Sequence, residues 1–372
     1  MASTSTFKIF ATVLLIAVLC FFSDQTIEAQ VLTSEEEGID KFGFFRFPHT
    51  DGKWVVFTSE GDIWRVPLSG GEAFRLTSMI GEERFPRISN DGNWVAFTAQ
   101  EDGQNNIFVM SINGGIAKRL TFHSSSDQVL GWTNDNEIIF RSTREMPLRG
   151  WNVYSVPLAG GFPIAIGLDK AAQISYDPES DRIAFTRMTN EFSYWKGYRG
   201  GRSPDIWVGN IAMLEFKNIT NQEGINDWEG LNAFPMWHTD GRIYFLSDRT
   251  GRINIYSMLP DGQDVEQHTF KDDFDVRFPA LGNGFIVYQN GMDLYCYEIA
   301  SNYNRKIEIS LPSDRVLTRD KFANPVHYIS GYQLSPDGSR LLLNARGNIY
   351  TAISNTVAKI LKVDVDAIID PV

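Results

Sequence analysis

The feature that most restricts what this chain can fold into is a unit that recurs along it. The clearest copy runs from Arg84 to His123. It opens with Arg84-Phe85-Pro86 and passes an Asp91-Gly92 turn into the apolar run Trp94-Val95-Ala96-Phe97. A polar loop, Ile107-Phe108, an Asn113-Gly114-Gly115 turn and Lys118-Arg119-Leu120-Thr121 complete it. The turns carry residues that tolerate positive φ, and the runs between them are β-branched or aromatic, so the unit reads as short antiparallel strands joined by hairpins. An aliphatic residue followed by an aromatic marks the third strand at Ile63-Trp64, Ile107-Phe108, Val153-Tyr154, Ile206-Trp207, Ile255-Tyr256, Leu294-Tyr295 and Ile349-Tyr350. Gly70-Gly71, Gly160-Gly161 and Asp261-Gly262 follow this landmark, and Asp51-Gly52, Asp240-Gly241, Asn283-Gly284 and Asp337-Gly338 precede it. One such sheet cannot bury both of its faces. A period of roughly 40 to 50 residues, with about four strands per unit, is the signature of a radial β-propeller.

The expected fold is therefore all-β: a six-bladed β-propeller of four-stranded blades over 44–311, plus one extra C-terminal blade-like repeat over 332–372. Between them, 312–331 has the charged, proline-bearing composition of a linker, with Pro312, Asp314, Asp320 and Pro325. The last repeat has its turn at Asp337-Gly338, strands at Arg340 to Leu343 and Ile349-Tyr350, and an expected final hairpin at Asn355 to Leu361. Two closures fit the repeats: all seven in one ring, or six in a ring with the seventh starting a second propeller. The length of the linker favours the second.

The N-terminus reads as a targeting segment. Lys8 precedes an apolar run from Phe10 to Phe22 and a polar stretch ending at Ala29. This is too short for a membrane span, which needs about 20 residues. Residues 1–29 are expected to be a signal peptide and 30–43 a leader containing Glu35-Glu36-Glu37, so the protein is expected to be exported, periplasmic or secreted. Lipidation at Cys20 is disfavoured because Leu19 stands where a small residue is wanted. Removal of this segment leaves Cys296 as the sole cysteine, expected to be a buried, inert thiol. The net charge of -12 excludes a nucleic-acid binder, which must neutralise phosphates with a basic surface.

No residue stands out as catalytic or metal-ligating, and no cofactor is implied. The five histidines, His49, His123, His238, His268 and His327, show no i, i+2 or i, i+4 pairing with one another, and no nucleophile elbow or phosphate-cradling loop is present. His238 reads as strand-end packing. Asp272, Asp273 and Asp275 read as a solvated acidic loop rather than a calcium site. Two features are candidates for binding. The entry motif Arg46-Phe47-Pro48, Arg84-Phe85-Pro86, Ala233-Phe234-Pro235 and Arg277-Phe278-Pro279 recurs where the innermost strand of a blade should begin. Arg46, Arg84 and Arg277 would then form a partial cationic collar around the channel, able to pair with a peptide carboxylate; the alternative is that Phe and Pro pack between blades while the arginines face solvent. The second candidate is the fourth-blade insertion, where Trp195, Tyr198, Arg199 and Arg202 would stack on a ligand or, preferably, clamp a partner domain or subunit. Asn218-Ile219-Thr220 matches a glycosylation acceptor.

The block from Trp195 to Gly201, WKGYRGG, followed by Ile206-Trp207, resembles the fourth blade of the N-terminal six-bladed propeller of the tricorn protease family. RIYFLSDRTGRINIYSMLPDGQDVEQHT at 242–269 is similar to the next blade there, and KIEISLPSDR at 306–315 to the exit toward a second propeller. The Asp-Gly and Ile-aromatic landmarks are shared with TolB-type propellers. The resemblance implies a non-catalytic front portion of a large serine peptidase whose nucleophile lies in a C-terminal half outside this sequence. Its implied partners are oligopeptides and the remaining peptidase domains or other subunits, with homo-oligomerisation open. The competing expectation is a stand-alone TolB-type periplasmic propeller that binds a protein.

Overall fold

The computed structural model describes residues 43–353 apart from 146–149, 169, 189–191, 193–196, 225, 227, 316–324 and 346. The expected signal peptide, nearly all of the leader, Cys20, Trp195 and the hairpin expected at Asn355 to Leu361 lie outside the described residues.

Six four-stranded antiparallel sheets follow one another along the chain, each with its strands in sequence order. Their inner strands are Arg46–Thr50, Glu83–Ile88, Asp127–Trp132, Gln173–Tyr176, Asn232–Trp237 and Val276–Gly282. All seven aliphatic–aromatic landmarks fall in strands, and in six blades the aromatic faces an aromatic of the neighbouring strand. The pairs are Phe57 with Trp64, Phe97 with Phe108, Phe140 with Tyr154, Phe185 with Trp207, Phe245 with Tyr256 and Tyr288 with Tyr295. Three of them are stacked, with centroids 5.9, 5.7 and 5.6 Å apart. Cross-strand aromatic pairs of this kind each stabilise a sheet by about 0.5–1.5 kcal/mol beyond simple burial.

Successive strand residues point to opposite faces, and each blade uses this to pack on both neighbours. In the first blade Val55 and Phe57 lie in a core shared with the sixth blade, while Val56 between them lies in the core shared with the second. Further cores join second to third, third to fourth, fourth to fifth and fifth to sixth. Every blade thus has two packed faces, and the six form a closed ring.

A threonine holds the outer edge in four blades. The N–H of Ile63 donates to Thr77 Oγ1 at 2.8 Å, Ile107 to Thr121 at 3.0 Å, Ile206 to Thr220 at 2.9 Å and Ile255 to Thr269 at 2.8 Å. Thr220 of the Asn218-Ile219-Thr220 triplet is therefore a buried blade fastener. Asn218 Oδ1 accepts the N–H groups of Thr220 and Asn221, and its Nδ2 donates to Asp205 at 3.3 Å.

Among the described residues, no blade is shared between the two ends of the ring. Ile309–Ser310 leaves the sixth blade and pairs in parallel with Gly71–Glu72 on the outer hairpin of the first. Gly71 N–H donates to the Glu308 carbonyl at 2.8 Å, Ala73 N–H to Ser310 at 2.9 Å, and Arg305 reaches the Leu68 carbonyl at 2.7 Å. At the inner end of this seam, Gly282 passes so close to the first blade that a Cβ there would sit 1.7 Å from the Thr50 carbonyl oxygen. Cys296 is buried in this seam's core, and burial pushes its thiol up to about 11.

The chain divides into two units between Asp314 and Arg315. In the second, Ile329–Leu334, Arg340–Ala345 and Asn348–Ile353 form a three-stranded antiparallel sheet. Its Tyr332, Leu342, Ile349, Tyr350 and Ile353 are exposed.

Candidate functional site: a plugged central channel

The inner strands begin at one face of the ring and end at the Asp-Gly-type turns of the other. In the first, second, fifth and sixth blades the ladder slips at the entry motif, between Arg46 and His49, Arg84 and Arg87, Ala233 and Met236, and Arg277 and Ala280. Two residues, Phe and Pro, there oppose one on the partner strand. Proline has no N–H to give to a ladder, so a bulge is where a strand can hold it. The phenylalanine before it takes a left-handed backbone, with φ of 54° at Phe47, 55° at Phe85, 54° at Phe234 and 49° at Phe278. A bulky residue in this region is strained by about 1–3 kcal/mol.

The strain turns the rings onto one another at the axis. Phe47 lies 4.1 Å from Phe85 and 4.5 Å from Phe278, centroid to centroid. Phe192, from the fourth-blade insertion, enters the same cluster at 4.8 Å from Phe278 and 5.5 Å from Phe234. The entry-motif phenylalanines thus converge across the channel as a phenyl plug, with Phe47 itself only 4% exposed.

Arg46, Arg84 and Arg277 stand together at the strand-entry side of this plug. Partial burial, and then the positive charges of Arg84 and Arg277, lower the Arg46 pKa. Arg46 packs over the Phe47 ring and Arg277 over Phe192 at 4.9 Å, while Arg84 pairs with Glu82.

On the other side of the plug lies a cavity of about 930 Å³, floored by Phe85, Phe192, Phe234 and Phe278. Asp51, Asn90, Asn134 and Asn283 edge its mouth, and His49, Arg87, Gln128, Arg141, Gln173 and Tyr176 line its wall. Arg87 is 8% exposed; its Nε donates to the Leu130 carbonyl at 3.0 Å and its Nη1 to the Pro86 carbonyl at 2.9 Å. No carboxylate pairs with it among the described residues, and burial brings its pKa down to about 10. His49 Nδ1 accepts the Ile88 N–H at 3.2 Å. Burial, reinforced by the Arg87 charge, holds the imidazole pKa well below the ordinary value. The ring is therefore neutral with its proton on Nε2. Arg141 donates to Gln128 Oε1 at 3.0 Å and to the Ala172 carbonyl at 3.2 Å, and lies over Trp151. Neither His49 nor Arg87 was a candidate from sequence, although both occupy the position after the proline of the entry motif.

Not every residue of the insertion joins Phe192 at the plug. Arg199 lies 4.1 Å over the Trp228 ring and pairs with Asp248 Oδ2 at 3.2 Å. Asp248 Oδ1 also accepts Trp228 Nε1 at 2.9 Å and the Leu231 N–H at 3.0 Å. Arg199 thus ties the insertion to the fifth blade of its own chain. Tyr198 is half-buried and Arg202 exposed.

Other chemistry-bearing side chains have structural tasks. Ser257 Oγ and His268 Nε2 are 2.7 Å apart, the spacing of a nucleophile and its base. Ser257 is fully buried, however, and Tyr297 OH holds the other imidazole nitrogen at 2.8 Å. His238 Nδ1 approaches Asp240 Oδ2 at 3.1 Å beside Tyr244, at a strand end. In the acidic loop, Asp273 Oδ1 accepts the Phe274 N–H at 2.7 Å and Asp275 Oδ1 the Ile253 N–H at 3.3 Å.

Residues 42–303 match the family model of the tricorn protease N-terminal β-propeller domain. The chain belongs to that family. Among curated relatives, tricorn protease homolog 1 of Streptomyces coelicolor is 34% identical over 276 residues, covering 73% of this chain and 25% of the relative. A putative tricorn-like protease N-terminal subunit of Sulfurisphaera tokodaii is 32% identical over 172 residues, covering 45% of this chain and 86% of that protein. The crystal structure of the tricorn protease superposes with a TM-score of 0.66 at 22% identity, covering 84% of this chain and 30% of that one, a likeness of fold. The chain spans about a quarter of the length of the first of these relatives. The family assignment thus covers the ring of blades and the plugged channel within it.

Proposed function

We propose that this chain is the non-catalytic propeller portion of a tricorn-like serine peptidase, gating the passage of oligopeptides through its channel and docking to the remaining peptidase domains or subunits. The observation that carries the proposal is the phenyl plug, which divides a cationic entry from a cavity of peptide size. Four strained backbones maintained at one level are a costly way to fill a hole, and strain of this kind gathers at clamps and switches. Docking is supported by exposed apolar residues, Phe44 just ahead of the first blade and Ile80, Phe122, Phe270 and Phe274 on connectors between blades, all beside the entry side of the inner strands. A relative named as an N-terminal subunit supports assembly with a separate catalytic chain. Export by the segment ending at Ala29 belongs to the same proposal and is checked by sequencing the N-terminus of the protein recovered from its host.

The deciding experiment titrates a panel of fluorogenic oligopeptides against the purified chain, recording binding and hydrolysis together. Binding without cleavage is the expected result. Cleavage abolished by a change in the channel overturns the non-catalytic assignment, and an absence of binding transfers the role to protein docking alone.

A further inference from the structure

The wall of the cavity holds a charge that the protein itself leaves unanswered. Arg87 is buried, and its Nε and Nη1 donate to neutral carbonyl oxygens, those of Leu130 and Pro86. Among the described residues no acceptor takes its Nη2 group. A buried cation is costly to leave uncompensated. Beside it, His49 is a neutral ring whose Nδ1 is occupied by the Ile88 N–H, which leaves Nε2–H as a further donor. Arg87 and Arg141 are the lining cations, and Asp51, at the mouth, is the lining carboxylate. On a chain of net charge -12 this makes the cavity a local positive well, and a concave low-dielectric wall concentrates such a field.

We propose that this wall is a carboxylate seat, in which Arg87 and His49 receive the α-carboxylate of a short peptide whose terminal side chain rests on the phenyl plug. The assignment rests on the peptide-passage reading and specifies which end of the peptide the channel recognises. The volume of about 930 Å³ suits a few residues of extended peptide and is too small for a folded partner. The apolar floor of Phe85, Phe234 and Phe278 lies against the donor wall, so the site is built for an acid that carries an organic group. One guanidinium and one neutral imidazole match the single charge of a carboxylate.

The test is calorimetric titration of the full chain with Ala-Ala-Phe as the free acid and as its C-terminal amide. The free acid is expected to bind about 10- to 100-fold more tightly, the difference expected of a charge-assisted pair. Arg87→Gln should bring the acid down to the level of the amide, with the thermal transition recorded to establish that the variant is folded. The acid–amide comparison on the unaltered chain decides the question even if that variant does not fold. Equal binding of acid and amide overturns the seat and leaves peptide passage standing. Binding of neither peptide overturns both. Displacement of the free acid by acetate or inorganic phosphate at equal concentration overturns the peptide assignment and reduces the site to one for small anions.

Discussion

Phe47 and Phe278 meet edge to face at 4.5 Å, although one belongs to the first blade and the other to the last. Each has a left-handed backbone and precedes a proline in a bulge. Their contact is therefore both a part of the ring's seam and a part of the stopper in its channel.

Removing one ring should uncouple these two roles. Phe278→Ala deletes contacts to Phe47, Phe192 and Phe234 while leaving the strained backbone in place. A loss of about 2–4 kcal/mol is expected in urea unfolding. Association of a fluorescent peptide, followed by stopped flow, should accelerate about ten-fold through a lowered barrier. An unchanged association rate in a folded variant would show that the plug does not gate.

The junction of the first and second blades should respond to pH. Glu83 is fully buried, with Thr77 Oγ1 donating to its Oε2 at 2.8 Å and the Asp62–Arg75 pair nearby. Burial first, and the Asp62 charge with it, raises its pKa from 4.5 to about 7. Between these values the folded chain holds a proton that the unfolded chain has lost. Stability from this group is thus fully present below about pH 4.5 and declines as pH rises to about 7. Glu83→Gln keeps the uncharged form at every pH. It should flatten that slope and exceed the parent at pH 8 by about 1–3 kcal/mol in denaturant titrations.

The fourth-blade insertion should be released by a change in the fifth blade. Asp248→Ala removes the acceptor of Arg199, Trp228 and the Leu231 N–H at once. A cost of about 2–4 kcal/mol and faster tryptic cleavage at Arg199 and Arg202 are expected, since buried donors would be left without partners. Asp248→Asn retains the oxygen that serves Trp228 and Leu231, so it should lose less stability while still loosening Arg199. Equal protease sensitivity of parent and Asp248→Ala would show that the tie does not hold the insertion.

Much of this ring could be read from the sequence because its repeated residues do the same local job in each blade. Ile107 and Phe108 announce a third strand whose alternate faces enter two different cores, and Asp91-Gly92 announces the turn that brings the chain back. The plug was less legible. Its four phenylalanines were visible as a motif, but whether Phe47 packs between blades or turns to the axis depends on a bulge, which is a matter of register rather than composition. Phe192 reaches the same point from an insertion that carries no repeat. Arg87 and His49 were within sight of the motif, one residue beyond its proline, yet their burial follows only from the closed channel. The destination of Arg199 was hidden for another reason: Asp248 lies 49 residues away, beyond any local pattern.

The exposed sheet of the second unit gives a prediction about handling. Tyr332, Ile349, Tyr350 and Ile353 are exposed there, whereas the aliphatic residues that correspond to Ile349 in the six blades, Ile63, Ile107, Val153, Ile206, Ile255 and Leu294, are all fully buried. Edge strands and uncovered apolar faces promote association. A chain ending at Asp314 should remain monomeric at concentrations where the full chain aggregates, as light scattering would record. Equal scattering by the two would mean that the sheet finds its own cover.

The short latch at Ile309–Ser310 has a consequence for how such a ring can change. Many circular folds are sewn shut by a sheet that borrows strands from both ends of the chain, and losing either end then unravels a whole sheet. Here, among the described residues, every four-stranded blade is woven from one continuous stretch, and the last merely hooks onto the outer hairpin of the first. The circle behaves like beads on an open bracelet with a clasp. Its starting point can be moved to any gap between beads, and the polypeptide can be re-ended there, provided that the old clasp is bridged. A circularly permuted ring beginning at Glu83 should keep all six sheets intact.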